Sequence, residues 1–137
     1  MRISKRKARK KALIEGFRSN FEHDIAKYLD KNGIDFEYES LKLSYIVPET
    51  KHTYTPDWQI NHDTSVVYES KGRFSAADRK KMLLVRKHNP NVVIRMIFQN
   101  SDVRISKASK TSYADWCNKN QIEWCDFRKG LPKTWLK

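Results

Sequence analysis

The chain has 137 residues, with 28 Lys and Arg against 16 Asp and Glu, a formal net charge of +12 at pH 7. That length suits one domain with a real core, and its longest apolar run is far too short to cross a bilayer. Two cysteines, Cys117 and Cys125, exclude a disulfide scaffold, and the basic excess points to a polyanion, most often nucleic acid.

Residues 1–15 read as a solvated basic tail. Arg2, Lys5, Arg6, Lys7, Arg9, Lys10 and Lys11 carry its charge, with no acidic residue among the first eleven positions. No apolar stretch follows that positive start, so export is not expected and the cytoplasm is. Residues 16–137 read as a single domain. Ser19 opens a helix, with Phe21, Ile25, Tyr28 and Leu29 on one face and Asn32-Gly33 as its stop. Phe36–Glu39 and Leu41–Val47 alternate apolar and polar residues, as half-buried strands do. Pro48 ends that stretch, and a polar loop over Glu49–Thr53 is expected next. Tyr54–Ile60 reads as a short strand interrupted by Pro56. Asn61–Thr64 is turn chemistry, and Ser65–Lys71 is a strand around Val66-Val67-Tyr68. Ser75–His88 is a helix that Ser75 can cap, with Asp78 three residues on and Asn89-Pro90 after it. Asn91–Gln99 is a buried strand. A third helix starts at Thr111 or Ser112 and runs to about Lys119. A last strand over Ile122–Phe127 and a short turn around Trp135 complete the chain. The order predicts an α/β fold, a mixed sheet flanked by helices.

The charge is unevenly spread. Residues 12–70 hold five basic and eleven acidic residues, a net −6, whereas residues 71–87 hold seven and one, a net +6. A protein that merely coats nucleic acid has little use for gathered carboxylates. A nuclease does, because carboxylates hold the cations that neutralise a phosphate under attack.

Thr55-Pro56-Asp57 followed by Glu69-Ser70-Lys71 is the sharpest motif. Alternate strand residues share a face, so Glu69 and Lys71 point the same way. Asp57, on the paired strand, reaches the same spot across the ladder. Asp57 and Glu69 can hold Mg2+ through oxygen, with the Ser70 carbonyl as a further ligand. Lys71 can orient or activate water, or offset charge on phosphate. The bland alternative is an exposed strand pair beside a proline turn. Glu22 has two readings as well. It completes a capping box with Ser19, or it presents a third carboxylate to the metals. Arg79, Lys80 and Lys81 on the second helix have few acidic neighbours and suit phosphate contacts, with Arg18 and Arg73 alongside them. Trp58, Trp116, Trp124 and Trp135 suit packing, and the two cysteines are expected to be structural.

Several segments in one order resemble phage endonuclease I, the Holliday-junction-resolving endonuclease of short-tailed phages. They are Gly16–Glu22, Asn32–Glu39, His52–Asp57, Glu69–Gly72 and Asp78–Lys81, with Ile94–Phe98 and Thr111–Tyr113 further on. The resemblance implies a restriction-endonuclease-like PD-(D/E)xK fold and a homodimer that exchanges its N-terminal helix. Glu22 would then come from one chain, and Asp57, Glu69 and Lys71 from the other, with residues 41–47 as the bridge. It implies Mg2+, with Mn2+ able to substitute, and branched DNA, chiefly four-way junctions, as substrate in the host bacterial cytoplasm. Three departures stand out: a long turn over Asn61–Ser65, Ser70 where threonine is common, and a chain that stops soon after Trp135.

The resulting expectation is hydrolysis of branched-DNA phosphodiesters with one or two ions per site, held by Asp57, Glu69 and Glu22. Another nuclease of the same fold, transposase-associated or mismatch-nicking, is the nearest rival. A non-catalytic DNA-binding module of that fold is a rival of a different class, and an RNA- or membrane-binding basic protein would explain the tail but not the acidic half.

Overall fold

A computed structural model of the chain describes residues 19–47 and 50–137. The basic tail and Arg18 lie outside the described residues. The first described helix, α1, spans Asn20–Lys31, and Ser19 Oγ caps it by accepting the Glu22 amide at 3.1 Å. Strands β1 (Phe36–Tyr38), β2 (Leu43–Val47), β3 (Thr50–Tyr54), β4 (Trp58–Ile60) and β5 (Val66–Lys71) follow. Then come α2 (Ala76–His88), β6 (Val93–Phe98), α3 (Tyr113–Lys119) and β7 (Glu123–Asp126). Short 3-10 turns at Phe127–Lys129 and Lys133–Leu136 end the chain. Ser75 and Ser112 cap α2 and α3 with full capping boxes, using Asp78 and Asp115.

The main sheet has the order β1-β4-β5-β6-β7. Its first half is antiparallel and its second half, β5-β6-β7, is parallel. The parallel half follows from its helical crossovers, since parallel neighbours cannot be joined by a tight turn. Side chains alternate between two cores. On one face Phe21, Ile25 and Leu29 of α1 pack with Phe36, Trp58, Tyr68, Ile97 and Trp135. On the other, Met82 and Val85 of α2 and Cys117 of α3 pack with Val67, Ile94, Met96 and Phe98. Residues two apart on β6 therefore serve the same core. The four tryptophans pack as the sequence suggested, Trp58 and Trp135 fully and Trp116 and Trp124 at the edge.

One expectation fails. Residues 50–54 form β3 rather than a loop, pairing along its length with β2, with Tyr45 opposite His52 and Leu43 opposite Tyr54. The segment is polar because Lys51, His52 and Thr53 face solvent. A two-stranded ribbon needs only one apolar face, and Tyr45 and Tyr54 supply it against α2. Asp57 is also not within a strand. It immediately precedes β4, whose register pairs Trp58 with Tyr68.

Candidate active site

The antiparallel register places Asp57 next to Glu69, at the end of β5 where the chain turns towards α2. Glu22 lies on the first turn of α1, whose apolar face seats it over the same edge. All three carboxylates are buried, at 8%, 7% and 5% exposure for Glu22, Asp57 and Glu69. They line one cavity of about 370 Å³ with Ser70, Lys71, Tyr54 and Lys81. A larger groove of about 570 Å³ runs past Arg95 and Trp135, but Arg95 is already tied to Glu123 at 2.7 Å.

Hydrogen bonds fix each carboxylate. Asp57 Oδ2 accepts the Ser70 amide at 3.0 Å and the Ser70 hydroxyl at 2.8 Å. The Ser70 side chain thus has work of its own, which a role limited to its carbonyl did not anticipate. Glu69 Oε1 accepts the Tyr54 hydroxyl at 2.6 Å and the Asp57 amide at 3.2 Å. Glu22 Oε2 accepts the Tyr38 hydroxyl at 3.1 Å, while the Glu22 amide serves the cap. Ser19 therefore caps the helix through the Glu22 amide alone, without the reciprocal side-chain bond that Asp78 and Asp115 make, and the Glu22 carboxylate faces the pocket instead.

The electrostatics are those of a site short of positive charge. Burial, then the Asp57 charge, pushes the Glu69 carboxyl up to about 7. Burial raises Asp57 too, against the Ser70 bonds and Lys71. Lys71 Nζ sits 3.4 Å from Glu69 and 3.5 Å from Asp78. Burial disfavours its charge, but Glu69, Asp78 and Asp57 together outweigh that and hold the ammonium above its ordinary range. One carboxylate oxygen each from Glu22, Glu39 and Asp57 lies within 4.8 Å of the others. Such all-oxygen sets suit hard divalent cations.

A family model for phage endonuclease I matches residues 2–137. Endonuclease I of Escherichia phage T7 is 40% identical over 124 residues, 90% of this chain and 80% of that protein. Endodeoxyribonuclease 1 of Enterobacteria phage T3 is 40% identical over 121 residues, 88% of this chain and 77% of that protein. The chain belongs to the phage endonuclease I family.

In this member of the phage endonuclease I family, the basic candidates fall into distinct groups. Arg73 and Lys80 are exposed. Arg79 donates to the Phe74 carbonyl at 2.7 Å, which ties it to the start of its own helix. Lys81 lies over the Tyr54 and Tyr45 rings, at 5.3 and 5.9 Å from their centroids. Arg2, Lys5, Arg6, Lys7, Arg9, Lys10, Lys11 and Arg18 lie outside the described residues. No helix among the described residues is long and apolar enough to cross a membrane. Three residues at the site were not singled out by the motif: Glu39, Tyr54 and Asp78. Glu39 has a φ of 51°, and its amide donates to the Asp57 carbonyl at 3.1 Å. The repeated Glu37-Tyr38-Glu39 alternation was the available signal, but it marks a strand and not the turn that brings Glu39 inward. The cysteines are buried and free, and burial pushes both thiols up to about 12, so neither is a nucleophile.

Proposed function

We propose that the protein is a divalent-metal-dependent DNA endonuclease that hydrolyses phosphodiesters in branched DNA and so resolves four-way junctions in the bacterial cytoplasm. The observation that carries this reading is the convergence of Glu22, Asp57, Glu69 and Lys71 on one cavity. That convergence supports a PD-(D/E)xK reading, which calls for paired carboxylates and a lysine at one point.

Asp57, Glu69, Glu22 and the Ser70 carbonyl would hold one or two Mg2+ ions, with Mn2+ a workable substitute. The fit rests on an oxygen-only donor set, with three buried carboxylates facing one cavity. When bound, the metal offsets phosphate charge and lowers the pKa of water. Lys71, between Glu69 and Asp78, is placed to orient the attacking water or to offset negative charge growing on the phosphate. Ser70 keeps Asp57 from rotating. Arg73, Arg79, Lys80, Lys81 and the basic tail over residues 1–15 grip the DNA backbone, while residues 16–137 form the nuclease domain. That grip should weaken steeply with salt.

A homodimer suits a junction because two equivalent cuts resolve it. Pro48 and Glu49 alone separate β2 from β3. Opening that connection would turn residues 41–47 into a bridge and seat α1 and β1 on the partner with the same contacts they make within one chain. Glu22 would then complete the other chain's site. Mixed dimers carrying Glu22→Ala on one chain and Asp57→Ala on the other test this. An exchanged dimer yields one intact centre and keeps nicking, whereas an unexchanged one yields two damaged centres and loses it. For the substrate, cleavage of a four-way junction, a mismatched duplex and a linear duplex in Mg2+ is the test. The junction should be cut fastest. Preference for the mismatch would favour a mismatch-nicking enzyme, and junction binding without any product would favour a non-catalytic module.

A further inference from the structure

Tyr54 lines the cavity and belongs to none of the roles assigned above beyond its bond to Glu69. It ends β3 with its side chain only 2% exposed. A buried hydroxyl is unfavourable unless it is bonded, and phenylalanine would fill the same space. The hydroxyl therefore has to be explained by its partner.

That partner is Glu69 Oε1, at 2.6 Å. The same oxygen accepts the Asp57 amide at 3.2 Å. With two donors on Oε1, the other oxygen, Oε2, is left turned towards Lys71 Nζ at 3.4 Å. The terminal torsion of a glutamate is broad, so these donors, and not the rotamer, decide which oxygen faces Lys71. The ring has a second neighbour. Lys81 Nζ lies 5.3 Å from its centroid, within cation–π range, and Lys81 also lines the cavity. Tyr45, opposite His52 on the same ribbon, meets the same ammonium at 5.9 Å. One side chain thus touches a carboxylate at its tip and a phosphate-binding candidate at its face.

We propose that Tyr54 is a positioning residue of the nuclease centre, its hydroxyl orienting Glu69 for the chemical step and its ring orienting Lys81 for the grip on the DNA backbone. The inference rests on the function proposed above. It divides the two effects between two parts of one side chain, and a tie that merely fastened the β2–β3 ribbon to the sheet would not.

The test is steady-state cleavage of a four-way junction in Mg2+ by the full-length protein and by Tyr54→Phe, Tyr54→Leu and Lys81→Met. Tyr54→Phe should lower kcat by ~10- to 100-fold, as loss of a partner to a metal-binding carboxylate does, with KM unchanged. It should also raise the Mg2+ concentration needed for half-maximal rate. Tyr54→Leu should lose the same kcat and in addition raise KM. Lys81→Met should raise KM alone, and adding it to Tyr54→Leu should raise KM no further. Wild-type kcat and Mg2+ dependence in Tyr54→Phe would overturn the inference, as would a loss of melting temperature with no kinetic change. Should Tyr54→Leu not fold, Tyr54→Phe and Lys81→Met still decide between these results. Absence of cleavage by the wild-type protein would instead remove the nuclease reading, and the inference with it.

Discussion

Asp57, just before β4, and Asp126, at the end of β7, are two buried aspartates held by the same small clamp. Asp57 Oδ2 accepts the amide and hydroxyl of Ser70 at 3.0 and 2.8 Å, and Asp126 Oδ2 accepts those of Ser101 at 3.0 and 2.9 Å. Their neighbours differ. The Arg128 guanidinium meets Asp126 at 2.7 and 2.9 Å and, with the Ser101 bonds, holds its carboxyl far below the usual carboxylate range. Asp57 has Glu69 and Glu39 nearby and one shared lysine, and burial holds its carboxyl above that range. The serine clamp fixes where a carboxylate sits. The surrounding charge decides whether it is already balanced. At the end of β7 it is, and the pair closes a loop. Beside β5 it is not, and the site suits a cation and a phosphate.

The comparison breaks most easily at its charged members. Glu69→Gln should slow junction cleavage by about 1000-fold or more, the scale of losing charge stabilisation at a metal-assisted centre. Arg128→Met should lower the melting temperature and leave the cleavage rate of the folded protein within about 2-fold, since an exposed guanidinium acts here on stability alone. Equal losses of rate in both variants would erase the distinction.

The clamps themselves give a smaller contrast. Ser70→Ala should slow cleavage by ~10- to 100-fold, because a carboxylate that loses its orienting partner holds metal poorly. Ser70→Thr keeps the hydroxyl and should retain most of the rate. Ser101→Ala should cost about 1 kcal/mol of stability, the scale of one buried hydrogen bond, and leave the rate unchanged. Chemical denaturation alongside cleavage assays checks both.

Acidity separates the two sites by sign. The Glu69 carboxyl lies at about 7 in the folded chain against an ordinary 4.5. The folded state therefore binds the extra proton, and without divalent cation this group removes stability as pH rises from about 4.5 to 7, on the order of 3 kcal/mol in all. The melting temperature of Glu69→Gln should thus gain on the wild type between pH 5 and 8 in chelator, and the gain should shrink with Mg2+. Asp126 lies below its ordinary 3.8, so its contribution is present above that value and is lost only as pH falls. The deficit of Asp126→Asn should stay level from pH 5 to 8 and close in stronger acid.

The centre of the site was legible because strand periodicity and a proline turn suffice to put Asp57, Glu69 and Lys71 together. The helices were legible through their serine caps. Glu22 was readable as a cap from Ser19, but its reach into the pocket depends on how α1 lies on the sheet, which periodicity does not encode. Tyr54 and Glu39 were not legible as site residues. Tyr54 arrives on β3, whose exposed Lys51, His52 and Thr53 imitate a loop, and Glu39 arrives through a left-handed turn of 51° that ordinary strand patterning does not mark. Tyr54 depends on the β2–β3 ribbon, held by tertiary packing against α2, and Glu39 on the contact of its amide with the Asp57 carbonyl, neither of them a local preference.

The most direct test is calorimetric titration of Mn2+ into the wild-type protein, Asp57→Asn and Asp126→Asn at one pH near neutrality. The wild type and Asp126→Asn should bind with similar affinity, and Asp57→Asn should lose that binding. Binding retained by Asp57→Asn, or lost equally in Asp126→Asn, would contradict the assignment of the Asp57 cavity as the metal-dependent centre.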